Sequence, residues 1–141
     1  MTNAFRSLYR FWAVLIFVAV VTQIGLAGYG AFNADHKAND ANSVTHKAFD
    51  HGFGPHIALG YLILLGTLLL FLFAVAGRLG KRGILRSLGL FLLVFLAIVL
   101  AAFGGDHPLV GIFHPIDGFL IAGFATLNAY AAWTGRAIPA P

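Results

Sequence analysis

Four long apolar stretches, separated by short polar ones, dominate the pattern of hydrophobic and polar positions along the chain. They run from Phe11 to Phe32, His56 to Ala76, Ile84 to Phe103 and Ile112 to Trp133. Each reaches the roughly 20 residues that a helix needs to cross a hydrocarbon core of about 30 Å. Because lipid offers no partners to backbone polar groups, each stretch is expected to be helical. The pattern predicts an all-α integral membrane protein, a bundle of four transmembrane helices in one domain over residues 1–141.

Two of these stretches resemble each other at a constant offset. Residues 56–78 align without a gap on residues 114–136, so a histidine opens each segment and Gly-Arg closes it. The matched pairs are His56/His114, Gly60/Gly118, Leu62/Leu120, Ile63/Ile121, Gly77/Gly135 and Arg78/Arg136. Arg-Ser-Leu also stands near the start of the first and third apolar runs, at residues 6–8 and 86–88. The sequence therefore predicts two tandem helix-pair repeats, over residues 6–78 and 86–136.

Charge gives the predicted bundle an orientation. Hydrophobic residues make up 60% of the chain and charged residues only 10%, which is too little polar surface for a soluble domain. Most of the basic residues lie on one side of the predicted membrane: Arg6, Arg10, Arg78, Lys81, Arg82, Arg86 and Arg136. The positive-inside rule makes this side, with both termini, cytoplasmic and the histidine-rich side extracytoplasmic, as in a bacterial-type cytoplasmic membrane. The net charge of +4 then reflects topology, so the expected partner is the lipid bilayer and not nucleic acid.

The only long polar stretch, residues 33–55, is predicted to form an extracytoplasmic loop. Within it, Ser43 to Gly52 has the serine cap and glycine stop of a short separate helix, which would act as a lid in one half of the protein. The second half has a much shorter loop from Gly104 to Gly111. The first apolar run exceeds the roughly 7 to 15 residues of a signal-peptide core, so we expect it to be retained.

Histidines stand at matched places in the two related segments. His56 and His114 open the second and fourth predicted helices, so the repeat places them at one depth, facing each other. Gly60 and Gly118 follow one helical turn deeper on the same faces. Imidazoles are axial ligands of haem iron, and a glycine lets the edge of a flat macrocycle approach the backbone. The pattern predicts one haem b per protomer, with His56 and His114 on the iron.

Other interpretations of these histidines stay open at this point. A single histidine at a membrane boundary is most often an interfacial residue, and only the duplication at matched depth favours a ligand pair. A chlorin, or haem O or A, would suit the same residues.

The other outer residues carry weaker signals. A copper or zinc site is one interpretation of the outer histidines and aspartates, and solvated positions or contacts to haem propionates are the other. These residues are His36, His46, His51 and His107, with Asp35, Asp50 and Asp106. Asp50, His51 and His107 are candidates for proton transfer or for supporting the haem ligands.

Inside the fourth apolar run, polar residues predict a helix that faces the bundle interior. Asp117 is a candidate to orient the His114 imidazole or to accept a proton from a quinol; the alternative is a carboxylate directed at the outer headgroups or paired with His107 or a lysine. Asn128 is expected to form an interhelical hydrogen bond, with Tyr130 and Trp133 in an inner aromatic belt. In the third run nothing polar interrupts Leu88 to Phe103, which predicts a lipid-facing structural helix.

Four helices in two pairs, with histidines at the outer ends of the second and fourth, resemble one four-helix half of a haem A synthase. The resemblance covers essentially the whole chain but rests on His56 and His114, which match that family's axial ligands. It implies a haem or haem-like substrate between them. The family's catalytic glutamate lies one turn before the first histidine, where this chain has Phe53; it contains no glutamate, and Asp50 lies two turns back. The resemblance thus implies haem binding more than the synthase reaction.

The sequence as a whole predicts a membrane-embedded b-type haem protein that transfers electrons. More loosely, it is similar to cytochrome b561-type electron carriers. A quinol or a redox protein is the expected partner, and the chain is expected to be a homodimer or a small subunit of a larger redox complex. The alternatives are a half-size enzyme similar to haem A synthase and a cofactor-free accessory subunit. An electron carrier or accessory subunit is favoured over an enzyme because no nucleophile stands beside a base.

Overall fold

A computed structural model describes residues 2–41 and 46–135 of the chain. The described residues form helices throughout, in the order α1 Thr2–Ala41, α2 His46–Ala76, α3 Gly80–Gly104, α4 Pro108–Gly111 and α5 Phe113–Trp133. Four segments are long and apolar enough to cross a membrane: Thr2–Lys37, Lys47–Ala76, Gly80–Gly104 and Pro108–Trp133. The predicted all-helical fold with four candidate membrane spans is confirmed.

The four long helices pack in a ring. The backbone of α1 packs against those of α2 and α5, and the backbone of α3 packs against the same two helices. Within the described residues, no Cα atoms of the diagonal pairs α1–α3 and α2–α5 lie within 8 Å of each other. The helices that carry His56 and His114 are therefore diagonal partners. They face each other across the middle of the bundle.

The outside of the bundle is apolar, and its interior contains several alanines. Large side chains such as Phe11, Phe119 and Trp133 are 68%, 80% and 82% exposed. Contiguous apolar surface of this extent suits contact with lipid. The buried positions include Ala13, Ala74, Ala97, Ala125, Ala131 and Ala132. Small residues let helices approach closely where lipid supplies no hydrophobic driving force between them.

The predicted lid helix is wrong. Residues 46–52 form the first turns of α2, which continues through Pro55, so α2 begins at His46 and not at His56; residues 43–45 lie outside the described part of the chain. Packing against α1 overrides the glycine and proline signals. The backbone carbonyl of Gly30 lies 3.0 Å from where a Cβ on Gly52 would be, and the Phe53 ring fills the space beside Gly30. Pro55 has no N–H to donate to the carbonyl of His51. Because His51 is exposed, water can reach that carbonyl instead.

Hydrogen bonds connect the helices at the end of the bundle where α1 begins. Arg6 Nε donates to the carbonyl of Gly77 at 3.0 Å, which places the start of α1 beside the end of α2. The Tyr9 hydroxyl, fully buried, donates to Asn128 Oδ1 at 2.7 Å. Asn128 Nδ2 donates in turn to the carbonyl of Phe124 at 2.8 Å. The interhelical bond predicted for Asn128 is therefore present, between α1 and α5. Tyr130 and Trp133 are exposed near the same end.

We expect Tyr9→Phe to lower the free energy of unfolding by about 1 kcal/mol, because it leaves Asn128 Oδ1 buried without its donor. Thermal unfolding in lipid nanodiscs would measure the change. Thr126→Val is the matched control, since its exposed hydroxyl bonds only to the Ala122 carbonyl of the same helix. Equal melting temperatures for Tyr9→Phe and Thr126→Val would contradict the buried bond.

Candidate functional site

A cavity of about 510 Å³ lies among the four long helices, at the bundle end opposite the Arg6–Gly77 contact. Its walls are almost entirely apolar. The side chains with polar groups in its lining are Gln23 from α1, His56 and Tyr61 from α2, and His114 from α5. Sites for small molecules and cofactors have this character, a concave apolar space of about 300 to 1,000 Å³ with a few convergent polar groups.

The two histidine rings face each other in this cavity, as the sequence predicts. Their ring centroids are 6.2 Å apart and the ring planes are 72° from parallel. A metal–imidazole bond is about 2.0 to 2.1 Å long and a ring nitrogen lies roughly 1.1 Å from its centroid, so two imidazoles on opposite sides of one metal have centroids about 6 to 6.5 Å apart. The observed spacing lies within this range.

Main-chain carbonyls hold both rings. His56 Nδ1 is 3.1 Å from the carbonyl oxygen of Gln23 on α1, and His114 Nδ1 is 2.9 Å from that of Ala97 on α3. Because a carbonyl oxygen only accepts, each Nδ1 carries the proton and donates it. In a neutral ring the other nitrogen, Nε2, is then left with its lone pair for a metal. Such a bond to the far ring nitrogen is what orients metal-binding histidines in proteins.

The two glycines after the histidines line the cavity but have different surroundings. Nothing lies within 4 Å of where a Cβ on Gly118 would be, so this position faces open space. A Cβ on Gly60 would lie 3.2 Å from Gln23 Nε2. The space predicted for a macrocycle is present at Gly118, whereas the Gly60 position borders the Gln23 amide.

α3 exposes large apolar side chains such as Leu92 and Phe95, in keeping with the predicted lipid-facing helix, and it also belongs to the site. It supplies the Ala97 carbonyl to His114 and lines the cavity with Val94, Ile98, Ala101 and Ala102. Residue types alone do not indicate this role, because a backbone carbonyl and alanines carry no polar pattern. Gln23 was detectable, since an amide within an apolar run needs a partner inside the bundle.

Phe53 borders one of the two histidines. Its ring packs edge-on against His56, with centroids 6.2 Å apart, and against Phe49 at 4.6 Å. An apolar ring therefore covers one side of His56.

The outer candidates do not join the cavity lining. Asp50, His51 and His107 are exposed and lie outside it. Among the described residues no three His, Cys, Asp or Glu side chains come together as a metal site; the side chains of Asp40 and His46 lie outside the described part. The copper or zinc interpretation of the outer face therefore gains no support.

Asp117 is buried, at 4% exposure, and is not directed at the headgroups. Neither carboxylate oxygen has a hydrogen-bond partner among the described residues. The expected role in orienting His114 is not seen, because His114 Nδ1 donates to the carbonyl of Ala97. A buried polar group without a partner costs free energy, so Asp117 is a destabilising feature of the bundle beside the site.

We expect Asp117→Leu to raise the free energy of unfolding of the ligand-free protein by about 1 to 3 kcal/mol, because it removes this unsatisfied carboxyl group. Asp117→Asn, which keeps a polar group of the same shape, should change it much less. Thermal unfolding of both variants in nanodiscs tests this. A lower melting temperature for Asp117→Leu would mean that the carboxyl group has a stabilising partner.

The chain matches no known protein family, no curated protein and no solved structure.

Proposed function

We propose that the protein is a membrane-embedded b-type haem protein that holds one haem between His56 and His114. The observation that carries this proposal is the pair of facing imidazoles, each bonded through Nδ1 to a main-chain carbonyl, with centroids 6.2 Å apart. Haem iron takes two axial imidazoles through nitrogens of this kind. The cavity of about 510 Å³ and the open side of Gly118 give the macrocycle room.

The residues around the site suit an electron carrier better than an enzyme. A bound haem would supply one-electron redox chemistry. His56 and His114 would occupy both axial positions, which leaves the iron without a site for substrate. The ring of Phe53, and not a carboxylate, borders His56. The proposed activity is electron transfer with a quinol or a redox protein, in a homodimer or a larger redox complex.

The proposal includes the placement of the haem in the membrane. The Arg6 end of the bundle would be cytoplasmic by the positive-inside rule, and the cavity lies toward the opposite end. The haem would then lie in the outer half of a bacterial-type cytoplasmic membrane. The two tandem repeats remain a prediction; the matching carbonyl bonds of the two histidines support it.

Haem content per chain tests the proposal. The protein is purified from membranes of its own host, so that the natural cofactor is supplied. A pyridine haemochrome assay then measures the amount of haem, and amino-acid analysis measures the amount of protein. We expect haem b at one per chain. A different tetrapyrrole, or no pigment at all, would overturn the proposal.

A further inference from the structure

Gln23 and His56 form a reciprocal pair between α1 and α2. The His56 ring donates through Nδ1 to the main-chain carbonyl of Gln23, at 3.1 Å. The Gln23 side chain donates through Nε2 to the main-chain carbonyl of His56, at 2.8 Å. Each residue thus uses its side chain to bind the backbone of the other. On the opposite side of the cavity His114 binds the carbonyl of Ala97, and an alanine has no polar side chain to return the bond.

We infer that Gln23 is a positioning residue for His56. Its side-chain amide fixes the axial position and rotation of α2 relative to α1. The main-chain carbonyl of Gln23 is thereby placed to accept the proton of His56 Nδ1. The ring is thereby held in the tautomer whose Nε2 carries the lone pair. Gln23 acts on the ligand histidine and not on the metal.

The surroundings of the amide support this role. A Cβ on Gly60 would come within 3.2 Å of Gln23 Nε2, closer than an ordinary contact. Gly60 lies one turn after His56 on the same helix face, so a side chain there would press the amide away from the His56 carbonyl. We therefore infer that position 60 is a glycine because this leaves room for the Gln23 amide. Gly118, by contrast, faces open cavity.

The role of Gln23 in haem binding rests on the proposed function. The His56 tautomer, however, exists without cofactor, so it can be tested separately. The full-length chain is labelled with ¹⁵N-histidine, reconstituted without haem in nanodiscs, and its ring nitrogens are observed by NMR at a pH where the rings are neutral. In the unsubstituted protein we expect His56 and His114 each to show a protonated Nδ1 and an unprotonated Nε2.

The variant Gln23→Met keeps the length of the side chain but has no donor. We expect the His56 signals to shift toward a mixture of tautomers while those of His114 stay unchanged. Haem affinity should fall roughly three- to tenfold, as for one lost buried hydrogen bond. Unchanged His56 signals in Gln23→Met would overturn the inference, whatever the haem content.

A double-mutant cycle tests the assignment of Gly60. Gly60→Ala and Gln23→Ala should each, as single substitutions, produce the His56 shifts expected for Gln23→Met. Gly60→Ala should add little when combined with Gln23→Ala, because the crowded amide is then gone. Independent, additive effects of the two substitutions would contradict it. If these tautomer shifts occur but no variant binds haem, the positioning role stands and the proposed function fails.

Discussion

Replacing His56 or His114 with alanine is expected to remove most of the haem from the purified protein. Each variant leaves the iron with a single axial imidazole from this pair. Any haem that remains should change from a six-coordinate low-spin to a five-coordinate high-spin form. Since losing the direct hydrogen-bond partner of a metal ligand costs about 10- to 100-fold in metal affinity, losing the ligand itself should cost at least as much. Haem titration of nanodisc-reconstituted variants, followed by absorbance, measures both changes.

His51→Ala and His107→Ala are the controls for this prediction. Both residues are exposed histidines outside the cavity lining. Both variants should therefore bind haem as the unsubstituted protein does. If they lost haem as fully as His56→Ala, the ligands would have to be sought on the outer surface. If all four variants kept a low-spin haem, the assigned pair would be wrong.

Gly118→Leu is expected to exclude the cofactor without unfolding the protein. Nothing lies within 4 Å of the Cβ position at this glycine, so the new side chain starts into open cavity. Overfilling a packed site costs about 1 to 3 kcal/mol. Converted at 1.4 kcal/mol per factor of ten, the affinity for haem should fall roughly 5- to 150-fold. The melting temperature of the haem-free protein should stay the same or rise, because glycine is a poor helix former.

Gly123→Leu provides a matched substitution on the same helix. Gly123 also has nothing within 4 Å of its Cβ position, but it is exposed and does not line the cavity. This variant should therefore bind haem normally. Equal haem affinities for Gly118→Leu and Gly123→Leu would show that the cavity at Gly118 is not where the macrocycle lies.

The helices and the histidine pair could be predicted from the sequence because their signals are periodic or repeated. Long apolar runs indicate helices that can cross a membrane, and the alignment of residues 56–78 with 114–136 placed His56 opposite His114. The outer ends of α1 and α2 could not be predicted in this way. There Gly52 and Pro55 indicate a break, and only packing against Gly30 on the neighbouring helix explains why α2 continues.

The contacts that support the two histidines could not be predicted from residue types. The bond from His114 to Ala97 uses a main-chain carbonyl, which any residue at that position would offer. The repeat also treated Gly60 and Gly118 as equivalent, although only Gly60 borders the Gln23 amide. The difference comes from α1, which brings a polar side chain to one histidine, while α3 brings an alanine to the other.

The absorption spectrum of the protein purified from its own host, recorded oxidised and then dithionite-reduced, tests the central claim most directly. A bis-histidine site predicts a low-spin haem spectrum in both states, with the sharp visible bands of a six-coordinate haem b on reduction. A colourless protein would contradict the claim that His56 and His114 together hold one iron. A high-spin haem that binds carbon monoxide at once would contradict it too.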